Sequence, residues 1–308
     1  MTKNIKILLL SLVTITIIIS LLVVFLYKDK NESSKDKITI ITTLFPTYDF
    51  SKNIAGDLAD IKLLISPGTD SHSYEPSIND IATISKSSLF VYTGEDLEPW
   101  TFNITSSLKD KITSVNVSES INLYENLDED EDLKYDPHIW MSVKNAKIMC
   151  ENIYNALCLV DEKNKDTYTE NYNTYISRLN ILEEKYNEIK NNDSNKKLVF
   201  ASPFSYLYLI KEYNLDYISA YGFCSEVSEP SVSDMKKIID YLNTNESKYI
   251  LCDKLFSKNT ATAISNETNS TILDFNSIHN ISKDDLDSSI GYIELMEENL
   301  NSIKTILK

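Results

Sequence analysis

Three histidines, His72, His138 and His279, are the residues of this chain best suited to hold a metal ion, and the sequence contains no others. Imidazole nitrogen suits zinc, whose protein sites are usually four-coordinate. No two of the three share a helical turn and no His-Glu-x-x-His run occurs, so only the fold can bring them together. A lone histidine is more often a surface or satisfied core residue, so local context carries the argument. Pro67-Gly68 opens a turn ahead of Thr69-Asp70-Ser71-His72-Ser73-Tyr74-Glu75-Pro76, and Asp136-Pro137-His138-Ile139-Trp140 sets the second histidine beside a rigid proline and a bulky tryptophan. Proline fixes its own φ and restricts its predecessor, which constrains the backbone near these histidines. Asp253 and Glu75 are candidates to accept an imidazole N–H from behind. Asp253 fits equally well as a strand-end cap, and Glu75 as an ordinary turn residue.

These positions imply a scaffold. Short apolar runs rich in Ile, Val, Tyr and Thr recur at Ile38–Thr43, Ile61–Ile65, Leu89–Thr93 and Ile112–Val117, and again at Leu198–Ala201, Tyr217–Tyr221, Tyr249–Asp253 and Thr271–Phe275. Helix-length segments separate them, the signature of βαβ units and parallel sheets. The expected fold is α/β, with two lobes, each a parallel four-stranded sheet flanked by helices. His72 then follows the second strand, His138 the fourth and His279 the eighth, all beyond C-terminal strand ends, where open α/β sheets bind ligands. Between the two sets of strands, Tyr168, Tyr172, Tyr175, Leu179, Leu182, Tyr186 and Ile189 recur at steps of three and four, one face of a helix. With Asp161 as N-cap, a helix from Glu162 to about Asn192 would run roughly 45 Å and join the lobes as one long rigid connector.

Length, charge and cysteines narrow the class. The chain of 308 residues fits about two domains. Its formal charge of -16 and scattered lysines argue against nucleic acid, whose binders cluster Lys and Arg. Cys150, Cys158, Cys224 and Cys252 form no Cys-x-x-Cys pair. Cys150 and Cys158 lie too far apart along a helix to bridge, and whether Cys224 meets Cys252 depends on the fold. Lys3 and Lys6 precede an apolar run from Ile7 to Leu26, long enough to span a bilayer. This reads as an uncleaved membrane anchor with its N-terminus inside; a cleaved signal peptide is the alternative. The resulting division is an anchor or signal segment at 1–27, a polar tether at 28–37, a first lobe at 38–160, the bridging helix at 161–193 and a second lobe at 194–308.

The soluble part from Ile38 onward resembles the solute-binding proteins of ABC importers that take up zinc or manganese. Thr42-Thr43-Leu44-Phe45-Pro46 is similar to that family's first strand and its exit, and Pro67–Pro76 and Asp136–Trp140 to its two histidine motifs. Glu95-Asp96-Leu97-Glu98-Pro99-Trp100 resembles its helix-start motif, Cys224-Ser225-Glu226 with Glu229-Pro230-Ser231 a segment of its second lobe, and Gly291–Met296 with Asn299-Leu300 its last helix. The resemblance implies four ligand positions. Two map onto His72 and His138. The third, usually His or Glu, falls on Pro203, which cannot ligate through its side chain. The fourth, usually Asp or Glu, falls on His279. The resemblance also implies an extracytoplasmic monomer that hands its ion to an ABC permease. Zinc is the expected cargo and manganese the alternative, because His279 in place of a carboxylate shifts the site from oxygen toward nitrogen. Three histidines with an open position could also serve a zinc hydrolase, but no motif supplies a general base, so no enzymatic activity is expected. An adhesin on the same fold is a further alternative.

Overall fold

The computed structural model describes residues 15, 16, 18–20, 37–69, 71, 74–95, 98–126, 134–190, 195–222, 230–245 and 247–308. His72, Cys224 and most of the apolar run Ile7–Leu26 therefore lie outside the described residues. Among those described, no helix is long and apolar enough to cross a membrane.

All eight expected strands form, the last two with the expected bounds and the others with shifted ends. They are β1 (Ile38–Thr42), β2 (Ala59–Leu63), β3 (Leu89–Tyr92), β4 (Thr113–Asn116), β5 (Leu198–Phe200), β6 (Tyr217–Ser219), β7 (Tyr249–Asp253) and β8 (Thr271–Phe275). They make two parallel four-stranded sheets of the same order, β2-β1-β3-β4 and β6-β5-β7-β8. The helices are α1 (Phe45–Ala55), α2 (Ile78–Ile84), α3 (Trp100–Leu108), α4 (Val143–Val160), α5 (Lys165–Lys190), α6 (Leu207–Tyr213), α7 (Val232–Thr244), α8 (Asn259–Thr268), α9 (Lys283–Asp287) and α10 (Tyr292–Leu307).

Period-two alternation along the strands sorts side chains into layers. Ile40, Leu89 and Val91 face the main core, while Ile41, Phe90 and Tyr92 face an outer core with Ile84, Ile104 and Leu108. In the second lobe Leu198, Phe200 and Leu251 face the main core, while Val199, Ala201, Ile250 and Cys252 face an outer core with Ile238 and Ile264. The main core is continuous through both lobes and takes in α4, α5 and α10. The lobes are thus welded along a shared apolar layer.

The long connector is α5, 26 residues and so about 39 Å. It buries the expected tyrosine and leucine stripe except Tyr172, which is half-buried. Its start differs from expectation: a 3-10 turn at Glu162–Asn164 precedes it, and Asp161 makes no cap to the backbone there. Asp161 instead accepts from Asn164 Nδ2 at 2.7 Å and the Tyr168 hydroxyl at 2.6 Å, which ties the α4–α5 corner together by side chains. Both lobes grip α5. From the first, the buried Asp49 accepts the Tyr175 hydroxyl at 2.8 Å, and Ile54 O accepts Asn171 Nδ2 at 3.0 Å. From the second, Met296 O accepts the Tyr186 hydroxyl at 2.7 Å, and Glu294 pairs with Arg178 at 2.9 Å.

Asp49 also accepts the Tyr292 amide, so a carboxylate of the first lobe caps a helix of the second. Gly291 allows this: a Cβ there would stand 2.9 Å from Asp49 Oδ1. Burial lifts the Asp49 carboxyl to about 6, against the opposing pull of its hydrogen bonds.

Candidate metal site between the lobes

His138 sits at the end of the long connection after β4. Tyr135 returns to pair with Glu125 in an antiparallel bridge, and Asp136 N donates to Tyr124 O at 2.9 Å. Asp136 then turns back on the histidine. Its Oδ1 accepts the His138 backbone N–H at 2.8 Å and lies 2.9 Å from ring Nδ1. An oxygen already accepting one N–H accepts again from the ring, so Nδ1 carries a hydrogen toward Asp136 and Nε2 is the ring nitrogen turned away from it. Both residues are buried, and Trp140 packs edge-on against the imidazole with ring centroids 5.4 Å apart.

His279 follows β8 by a short, sharply bent loop and is half-buried. Ser277 N donates to Asp253 Oδ2 at 2.8 Å, and Ser277 O accepts Trp140 Nε1 at 2.7 Å. Ile278 then takes φ +62°, left-handed backbone that crowds a β-branched residue. Strain of this kind costs on the order of 1–3 kcal/mol and survives only where neighbours over-determine it. The anchored Ser277 before it, and Phe45 N on His279 O at 3.3 Å after it, supply that constraint. Ring Nδ1 of His279 lies 2.6 Å from Ser277 Oγ, a hydroxyl that can donate or accept. Trp140 therefore links the two histidines: its ring packs on one, and its N–H fixes the serine that holds the other.

His72 lies outside the described residues, but the chain on either side is placed. Ser71 is buried, and the Tyr74 ring stands edge-on to Trp100 at 5.8 Å. Upstream, Gly68 takes φ +76° and donates its N–H to Ile281 O at 3.0 Å. Asn280 Nδ2 donates to Ser66 O at 3.0 Å and Thr69 O at 2.6 Å. The segment that leads to His72 is thus bound to the residues that follow His279. Among the described residues, no three His, Cys, Asp or Glu side chains gather into a metal-holding group.

Two expected helpers of the ligands resolve differently. Asp253 accepts from Leu255 N at 2.8 Å, Ser277 N at 2.8 Å and the Tyr206 hydroxyl at 3.2 Å, so it reaches His279 through Ser277 as a loop-anchoring residue. Glu75 points to solvent. Pro203 is buried at the exit of β5 and offers no ligating group there. At the exits of β1 and β3 the buried Glu98 accepts Thr93 N at 2.7 Å, and burial lifts its carboxyl to about 7. The sequence reading missed Asp136, Ser277 and Asn280. For Asp136 a signal existed: an aspartate two residues ahead of a histidine is placed for an Asx turn onto that histidine's N–H.

Comparison with known proteins follows the same outline. The family described as "ZnuA: Zinc-uptake complex component A periplasmic" matches residues 40–306. The chain is 30% identical over 291 residues to the high-affinity zinc uptake system protein ZnuA of Bacillus subtilis, covering 91% of each. It is 29% identical to the zinc-binding lipoprotein AdcA of Streptococcus pneumoniae, covering 92% of this chain but 59% of that longer protein. The crystal structure of the Zn(II)-bound ZnuA-like domain of AdcA superposes with a TM-score of 0.75 at 29% identity, covering 88% of this chain and 99% of that one.

Proposed function

We propose that this chain, which belongs to the zinc-uptake complex component A family, captures zinc outside the cell membrane in the cleft between its lobes and delivers it to an ABC permease. His72, His138 and His279 hold the ion. The observation that carries this reading is the Asp136–His138 pair, in which a buried carboxylate orients the imidazole through Nδ1, next to the Trp140 that hydrogen-bonds the loop of His279. A carboxylate behind a histidine fixes ring orientation and raises ligand basicity, the usual support of zinc-bound imidazole. Nitrogen donors favour zinc over manganese. With Pro203 at the remaining position, the fourth ligand comes from solvent or from the cargo's own anion.

The same reading places residues 1–27 in the membrane as anchor, 28–37 as tether, 38–160 and 194–308 as the lobes and 161–193 as their bridge, in a monomer that performs no covalent chemistry. The test is competition titration of the full-length chain in detergent with zinc and manganese, beside His279→Ala and His279→Asp. Zinc should win by a wide margin in the wild type. His279→Ala should weaken it at least about tenfold, ~1.4 kcal/mol. His279→Asp should recover part of the binding and shift preference toward manganese. Three proteins of equal affinity and intact fold would dismiss His279 as a ligand.

A further inference from the structure

We propose that Asn280 is a clasp between the lobes: it holds residues 66–69, which lead to His72, against the loop that carries His279 before the ion arrives. The proposal rests on the metal-capture reading above and adds a positioning residue to it. Asn280 is buried, and its side chain is fully used. Both Nδ2 hydrogens go across the seam, to Ser66 O at 3.0 Å and Thr69 O at 2.6 Å, while Oδ1 accepts Ile281 N at 2.7 Å. One backbone bond runs parallel, Gly68 N to Ile281 O at 3.0 Å. Thr69 stands three residues before His72 and Asn280 adjoins His279, so at most about 11 Å of extended chain separates the clasped carbonyl from the first histidine.

The chemistry demands an amide here. Two carbonyl oxygens converge on one group, and only a side chain with two N–H hydrogens on one atom serves both from this position. Aspartate is the same shape but would set a carboxylate against two carbonyls. Serine would leave both carbonyls to water, which exposed Ser66 and Thr69 permit. Ligand loops held in place before binding lose less conformational freedom when the ion arrives, and that gain appears as affinity.

The experiment uses the full-length chain in detergent, as wild type, Asn280→Asp, Asn280→Ser, His138→Ala, His279→Ala and the double variant Asn280→Asp/His279→Ala. Zinc affinity is measured by competition titration, hydrogen exchange of the Gly68 amide is measured without metal, and metal-free melting temperature controls for folding. Both Asn280 variants should bind zinc at least about tenfold more weakly, with Gly68 exchange accelerated by a similar factor and melting lowered, more by the charged Asn280→Asp than by Asn280→Ser, while both stay folded at the titration temperature. In the His279→Ala background the Asn280→Asp penalty should shrink, because a clasp has less to align once one ligand is gone. A purely structural role would leave that penalty additive. Variants that bind zinc like wild type, whatever Gly68 does, overturn the clasp and leave the zinc reading standing. Zinc binding that ignores both His138→Ala and His279→Ala overturns the reading, and the clasp's purpose with it.

Discussion

The two lobes share a strand order, yet they present their histidines by opposite means. In the first, His138 is wholly buried, its ring and its own backbone N–H fixed by one carboxylate oxygen of Asp136. In the second, His279 is half-buried, backed by the neutral hydroxyl of Ser277 and reached through the strained Ile278. A charged acceptor makes a stronger hydrogen bond than a neutral one and pushes more electron density onto the opposite ring nitrogen. On the proposed reading, the first lobe thus holds a preset anchor for the ion. On the same reading, the second holds a closing ligand whose surroundings tolerate change.

The largest expected effect tests that ranking directly. His138→Ala should weaken zinc at least about a hundredfold, ~2.7 kcal/mol, against about tenfold for His279→Ala. Competition titration of both variants under one set of conditions is the measurement, with circular dichroism to confirm the fold. A larger penalty at His279 would invert the comparison.

Next in size is the joint that the two lobes share. Asp49 has a carboxyl raised to about 6 by burial, against an ordinary value near 3.8. The folded state then holds a proton between about pH 4 and 6 that the unfolded chain has released, so stability falls as pH rises through this window. Above pH 6 the buried charge costs about 3 kcal/mol relative to a neutral group. Asp49→Asn removes the charge while its oxygen still accepts the Tyr292 amide. The variant should be the more stable protein at pH 7.5, with the gap closing toward pH 4, as read by denaturant unfolding of both across pH. A gap independent of pH would show that Asp49 acts through shape alone.

Asp136→Asn comes third. A neutral amide oxygen still takes the ring N–H but adds less to the basicity of Nε2, so zinc should weaken at least about tenfold, in line with other orienting partners of metal-bound histidine. The apo melting temperature should change little, since the variant keeps the turn onto the His138 amide. No loss of affinity would place the strength of the first-lobe ligand in its burial and not in its carboxylate.

The scaffold was legible because apolar runs and helical stripes are local patterns: Leu89-Phe90-Val91-Tyr92 is apolar throughout, as a strand buried on both faces must be, and the α5 stripe shows its buried side over about six turns. Strand ends were less so, because nothing in Ala59-Asp60 reads as sheet until β1 lies beside it. Asp161 misled for a related reason. Its side chain suits an N-cap, but Tyr168, one helical turn beyond the 3-10 turn, competes for it and wins. At the site, the histidines stood out by type, while their support did not. Ser277 and Asn280 are common loop residues whose partners, Trp140, Ser66 and Thr69, lie more than a hundred residues away in sequence. Long-range hydrogen bonds of that kind leave no periodic trace.

Ser277→Ala is the smallest expected effect and the finest probe of the comparison. Two of the contacts that hold the His279 loop use the backbone of Ser277: its N–H on Asp253 and its carbonyl under Trp140 Nε1. Alanine keeps both. Only the hydroxyl beside His279 Nδ1 is lost, and a half-buried ring can recruit water in its place at little cost. A neutral hydrogen bond contributes about 0.5–1.5 kcal/mol net, and replacement by water recovers much of it, so zinc affinity should fall about threefold, ~0.6 kcal/mol. Run beside Asp136→Asn, the measurement sets a hydroxyl against a carboxylate behind two imidazoles on two copies of one sheet order. If Ser277→Ala costs as much as Asp136→Asn, the hydroxyl fixes its ring as firmly as the carboxylate does, and the second lobe carries an anchor of its own.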